Sequence, residues 1–242
     1  MVAPRDRAAV AAEPLPEVKL SIIIPVLNEA DNLPKCLDML YAYPWMHDQA
    51  EVIVSDGGST DETLHIASTY PCGVLSSPQG RSIQMNHGAE HAKGNYLLFL
   101  HADSRLPESF DTDSSLSGDW GFFRLRLDGH AWVYRIIETA INLRTGLTRV
   151  AGGDQGLFFA AEFFNLIQGF PPISLMEDIA ICKQARKQTN PHIVPTPLLS
   201  SSRRWQQNGI FKTILLMWLL RLAFWLGVSP QRLHRIYYPQ QG

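Results

Sequence analysis

Carboxylates cluster in this chain where short apolar runs give way to polar loops: PVLNEADN, SDGGSTDE and HADSRLP, and further on the acidic pair Glu177-Asp178. A carboxylate in such a place can accept a proton, accept N–H or hydroxyl hydrogen bonds, or hold a hard cation through oxygen. Arg81 and Arg204 add guanidiniums, whose planar fork suits bidentate phosphate contact. The chain has neither G-x-G-x-x-G nor G-x-x-x-x-G-K-[ST], so a dinucleotide cradle and a P-loop are set aside. It also has no H-E-x-x-H, no G-x-S-x-G and no Cys/His ligand cluster, which disfavours zinc hydrolases and serine esterases.

These residues need a scaffold, and the sequence predicts one. KLSIIIPV is a continuous β-branched run of the kind buried on both faces of a parallel sheet. Asp31 or Asn32 is expected to cap the next helix, in which Leu33, Leu37 and Leu40 recur at helical spacing. EVIVSD, a brief strand near Val74, a helix over roughly 82–92 and YLLFL continue the alternation, which predicts parallel strands joined by right-handed crossovers. Ligands in such sheets bind beyond the carboxyl ends of the strands, where the acidic loops stand. After Pro107 the rhythm changes: GFFRLRLDG alternates as a half-buried strand, 132–144 reads as helix, and GGDQGLFFA as loop then strand.

With 242 residues, 45% of them hydrophobic, the chain is read as one large domain. A net charge of -2 without a Lys/Arg run gives no footprint for nucleic acid. Cys36, Cys72 and Cys182 are odd in number and far apart, as core thiols of a reducing compartment are. The first 18 residues carry Arg5 and Arg7 but no apolar h-region, and read as a tail without a secretory signal. A cytoplasmic location is therefore expected, peripheral to the inner face of the membrane if the C-terminal segment docks there.

SIIIPVLNEADN, EVIVSDGGSTDET, GRSIQMNHGAEHAKGNYLLFLHAD and LMED, in this order, resemble the family 2 glycosyltransferases of GT-A fold, from about Leu20 to Trp205. HADS, GGDQG, LMED and SSRRW bring the chain nearest to a small bacterial subgroup labelled arsenosugar-biosynthesis or selenium-gene-associated. The resemblance implies an α/β, mostly parallel central sheet flanked by helices, with a catalytic domain over 19–205. Within it, 19–106 would form the nucleotide-binding half and 107–205 the acceptor half. It further implies an inverting transferase that moves a sugar from a nucleotide-diphosphate sugar, UDP favoured over GDP, to an acceptor hydroxyl that the residues do not identify. Pro25, Asn28 and Glu29 would line the base and ribose pocket. Asp56 would bond the nucleobase beside Gly57, and Arg81 would approach the diphosphate. His101-Ala102-Asp103 stands in place of the family's D-x-D, so Mn²⁺ or Mg²⁺ would rest on Asp103, with His101 either a ligand better suited to Mn²⁺ or a contact to ribose or phosphate alone. Asp178 would be the base, with Glu177 orienting it or the acceptor. Asp154, Gln155, Arg204 and Trp205 would meet donor or acceptor.

Plainer readings stand beside these. Asp56 can cap a turn, Arg81 can be a solvated charge, and two acids opening a helix can simply complement its dipole. A non-catalytic nucleotide-sugar-binding scaffold and a sugar-phosphate nucleotidyltransferase are the rival functions. The apolar segment within 206–242 contains Lys212 and Arg221, nine residues apart and so on opposite helix faces. It is expected to be a buried helix, a homodimer contact through 210–227, or a peripheral membrane anchor rather than a spanning helix.

Overall fold

The computed structural model describes residues 19–238, apart from the side chains of Arg204, Gln207 and Asn208. The expected tail over 1–18 lies outside the described residues. The chain runs β1 (Leu20–Val26), α1 (Leu33–Tyr41), a single turn α2 (Met46–Gln49), β2 (Ala50–Asp56), α3 (Thr63–Ser68), β3 (Gly73–Ser76), α4 (Arg81–Glu90) and β4 (Tyr96–Phe99). The expected alternation folds as a block in which β3, β2, β1 and β4 lie side by side, each pair parallel. β1 is apolar nearly throughout because it pairs on both edges and is covered on both faces: Ile22 and Ile24 face one core cluster, Ile23 the other. α1 closes the first cluster with Leu33, Cys36, Leu37 and Leu40. Asn32 occupies the cap position of α1 without capping it. Its Nδ2 instead donates to Glu29 Oε2 at 2.6 Å.

The remainder comprises β5 (Ser104–Arg105), α5 (Thr112–Ser115), β6 (Trp120–Leu127), α6 (Trp132–Thr148), a 3-10 turn at Gly153–Gln155, β7 (Leu157–Ala160), α7 (Ala161–Leu166), α8 (Glu177–Ala185), β8 (His192–Ser200), α9 (Arg203–Asn208), α10 (Ile210–Trp225) and α11 (Pro230–Tyr237). All eight strands form one sheet in the order β3-β2-β1-β4-β7-β6-β8-β5. β7 is antiparallel to β4 and to β6, β5 is antiparallel to β8, and β6 and β8 are parallel. The sheet is therefore parallel in its first half and mixed in its second. β6 alternates as expected beyond Phe123, with Arg124 and Arg126 outward and Leu125 and Leu127 buried.

β8, HIVPTPLLS, is a strand that the sequence reading leaves out. Its Pro195 and Pro197 cannot donate to a ladder, and they fall where the β6–β8 register shifts between Phe123 and Leu125. The second core face is aromatic. Trp120 stacks on Phe159 at 6.1 Å between ring centroids, and Phe99 meets Phe170 edge-on at 4.8 Å. The three cysteines are free, and burial pushes the Cys36 thiol up to about 12, as for an inert core thiol.

Candidate functional site

β1 and β4 end side by side, so the loops that follow them open on the same edge of the sheet. Pro25 near the end of β1 and Glu29 in the loop after it, with His101, Ala102 and Asp103 after β4, line one cavity of about 340 Å³. The start of α8 closes it from the other side with Glu177 and Asp178, and the 3-10 turn adds Gly153 and Asp154. α8 is entered through Met176, a non-glycine residue at φ 69°, in the left-handed region. Such a conformation persists only where its surroundings impose it, and here it turns the two acids into the cavity.

Asp178 is held in place. Its Oδ2 accepts from the Gly153 N–H at 2.8 Å, and its Oδ1 from the Ile179 N–H at 2.7 Å. A Cβ on Gly153 would stand 3.0 Å from His101 Nε2 and 3.9 Å from Asp178 Oδ2, so glycine permits this close approach of three groups. Glu177 is buried, with Arg81 Nε 3.9 Å from its Oε1. Burial, with the Asp178 charge adding and Arg81 opposing, pushes the Glu177 carboxyl up to about 7. Burial also raises Asp154, against the pull of Arg221. Arg144 is depressed to about 10 by burial and by Arg221 beside it. Arg144 Nη2 and Arg221 Nε are buried without a hydrogen-bond partner, and Arg221 lines the cavity.

Among the expected residues, Pro25, Glu29, Arg81, His101, Ala102, Asp103, Asp154, Glu177, Asp178 and Trp205 meet in the cavity. Asn28, Asp56, Gly57 and Gln155 do not line it. Asn28, at φ 56°, ties two loops together, its Oδ1 accepting from Thr60 N–H and its N–H donating to Ser59 Oγ. Asp56 is 1% exposed, and its carboxylate accepts from the Gly58 and Ser59 amides, which is the turn-capping duty open to it. Gly57 leaves room for the Gln84 side chain, which a Cβ would meet at 2.9 Å. Gln155 turns inward, donating to Phe123 O at 3.0 Å and accepting from Gly152 N–H at 3.3 Å. The expectation that it reaches donor or acceptor is thus corrected: a buried amide must satisfy itself in the backbone around it. The side chain of Arg204 lies outside the described residues, and Arg203 lines the cavity instead.

Sequence reasoning missed the contribution of the C-terminal helices. Thr213, Met217, Leu220 and Arg221 of α10, and Tyr237 with Tyr238 at the end of α11, line the same cavity. The available signal was Arg221, a charge inside an apolar run. It missed Gln84 as well, whose Nε2 donates to Val26 O at 2.7 Å and Ser55 O at 2.9 Å and so clamps the ends of β1 and β2. Gln84→Leu should lower stability by about 1–3 kcal/mol, read as a shift of the urea midpoint, because it strips a donor from two buried carbonyls.

Among the described residues no three His, Cys, Asp or Glu side chains converge as a closed metal site. The donor chemistry nonetheless fits a hard divalent cation of the kind that takes one carboxylate, here Asp103, and completes its shell with a ligand's phosphate oxygens. His101 stands on the same cavity wall.

Residues 21–112, from β1 to the start of α5, match the model of the family described as Glycosyl transferase family 2. The PGL/p-HBAD biosynthesis glycosyltransferase of Mycobacterium bovis BCG is 42% identical over 96 residues, 37% of this chain and 37% of that protein. The chain spans about a third of the length of the curated relatives it matches. Among solved structures, S. aureus TarS 1-349 in complex with UDP-GlcNAc superposes with a TM-score of 0.57 at 18% identity, covering 76% of this chain and 58% of that one. The mannosyltransferase PcManGT of Pyrobaculum calidifontis, in complex with GDP-Man and Mn²⁺, gives 0.56 at 20% identity, covering 81% and 60%. The fold is GT-A. In this GT-A chain the family match ends before α8, so Glu177, Asp178 and the C-terminal walls of the cavity lie outside it.

Proposed function

We propose that this chain is an inverting glycosyltransferase that moves a sugar from a nucleotide-diphosphate sugar, a UDP-sugar in the first place, to an acceptor hydroxyl. The observation that carries the reading is the sharing of one cavity by Arg81, suited to a diphosphate, by Asp103, suited to a cation that a diphosphate would complete, and by the anchored carboxylate of Asp178. The family match over 21–112 and the nucleotide sugars bound by TarS and PcManGT support it. The segments HADS, GGDQG, LMED and SSRRW support a place in the arsenosugar or selenium-gene-associated subgroup, a label that leaves sugar and acceptor open.

In this reading Pro25, Glu29 and Ala102 bound the nucleoside end of the donor, and Arg81 with Asp103 its diphosphate. Asp178 takes the proton of the acceptor hydroxyl while that oxygen forms its bond to the anomeric carbon. The bond to the diphosphate breaks on the opposite face, and the electron pair leaves with the phosphate oxygen. A divalent cation resting on Asp103 would supply positive charge to the departing diphosphate. Asp154 and Trp205 bound the acceptor, and Arg203 and Arg221 add positive charge.

Calorimetric titration with UDP and GDP, each with Mn²⁺, with Mg²⁺ and with EDTA, tests the donor side. Binding of UDP that EDTA abolishes is expected, and absence of binding by either nucleotide overturns the reading. Asp103→Asn should weaken UDP binding about ten- to a hundredfold in Mn²⁺.

A further inference from the structure

α10 has two unlike faces. Thr213, Met217, Leu220 and Arg221 line the cavity, whereas Phe211, Leu215, Trp218, Leu222 and Trp225 point outward. At 100° per residue these five, with Leu219 and Leu226, occupy one continuous arc, and exposed Lys212 sits on its edge. Trp218 and Trp225 are 73% and 72% exposed. Large apolar side chains exposed side by side are uncommon on a chain that meets only water. α6 joins α10 in one cluster, where Tyr134 and Ile137 pack with Ile210 and Ile214. It exposes a row of its own, Trp132, Ile136, Leu143 and Leu147, spaced to share one side of a helix.

The C-terminal segment that holds α10 is cationic, although its Arg203 and Arg221 line the cavity. Nine Lys and Arg and no Asp or Glu come after Asp178, while the rest of the chain holds twelve Lys and Arg and all 23 acidic residues. α11, packed beside α10, presents exposed Arg232 and Arg235.

We propose that this face docks on a bilayer surface carrying anionic lipid, with α10 lying in the plane of the interface. An apolar arc holding tryptophans and edged by cations is what an interfacial seat on an anionic membrane requires. A second copy of the chain is the poorer occupant, because in a two-fold contact the cationic segment would meet itself. No helix among the described residues is long and apolar enough to cross a membrane. Since the opposite face of α10 lines the cavity, docking sets the lipid surface about one helix diameter, roughly 10 Å, from the site. The inference stands apart from the transfer reaction.

The test is co-sedimentation of the purified chain with vesicles of phosphatidylcholine alone and of phosphatidylcholine with phosphatidylglycerol. The chain should pellet with the second and be released by salt. The double variant Trp218→Glu/Trp225→Glu should lose about tenfold or more of this partition and retain UDP binding, since neither residue lines the cavity. Arg232→Glu/Arg235→Glu should weaken it in the same direction without touching the apolar arc. Failure to pellet with either vesicle overturns the proposal, as does equal pelleting of the tryptophan variant. Light scattering that finds a dimer, dissolved by the tryptophan variant, would give the face to a second copy and overturn it too.

Discussion

Asp178→Asn should lower kcat about a thousandfold while leaving the affinity for UDP unchanged. The substitution is nearly isosteric, and the asparagine oxygen can still accept from the Gly153 N–H that anchors the native carboxylate at 2.8 Å, giving up the second bond from the Ile179 N–H. What is lost is a group able to take a proton from the acceptor hydroxyl, and general base catalysis contributes about 10² to 10⁴ in rate. Steady-state assay of sugar transfer, alongside calorimetry with UDP, separates the two effects. A variant that keeps a tenth of the native rate would remove Asp178 from the role of base. A variant that also loses UDP would point to a collapsed cavity instead.

Glu177→Gln should make the protein more stable, and only where the native residue is ionised. The carboxyl is pushed up to about 7 in the folded chain, from an ordinary value of 4.5, by burial and by the Asp178 charge. Because the folded state holds this proton more tightly than the unfolded state, the stability it contributes is complete below about pH 4.5. It is lost as pH rises toward 7. Glutamine does not titrate, so the variant escapes that loss. Thermal unfolding at pH 8 should favour Glu177→Gln by an amount approaching about 3 kcal/mol, and at pH 4.5 the two proteins should melt together. An advantage equal at both pH values would mean that packing, not ionisation, sets the difference.

The parallel block was legible because each element there announces itself locally. β1 and β2 are unbroken apolar runs, and the Asp and Gly residues after β2 build the turn that the sequence calls for. The opposite-face argument for Lys212 and Arg221 also holds, one exposed and the other on the cavity wall. What could not be read depends on partners distant in the chain. β8 hides behind two prolines that are tolerated only because the ladder with β6 slips at that point. Asn28 and Gln155 carry side chains as suited to a ligand as to backbone, and only the fold shows that Thr60 and Phe123 claim them. The cavity's C-terminal wall was hidden for a related reason. α10 is apolar on most of its surface and carries one charge on each of two opposite faces, Lys212 and Arg221, so the pattern alone does not tell the side that meets the site from the side that faces outward.

The position of β7 bears on how the chain can be made. Tyr96 to Phe99 of β4 find their outer partners only in Leu157 to Ala160, and everything between must be synthesised first. A growing chain thus carries a finished parallel block whose last strand offers an open, apolar edge until β7 emerges, a template for pairing with a neighbour. Residues 21–112, though recognisable as a family segment, end before that edge is closed. Expressed alone they should be recovered as aggregate, whereas the full chain should remain dispersed.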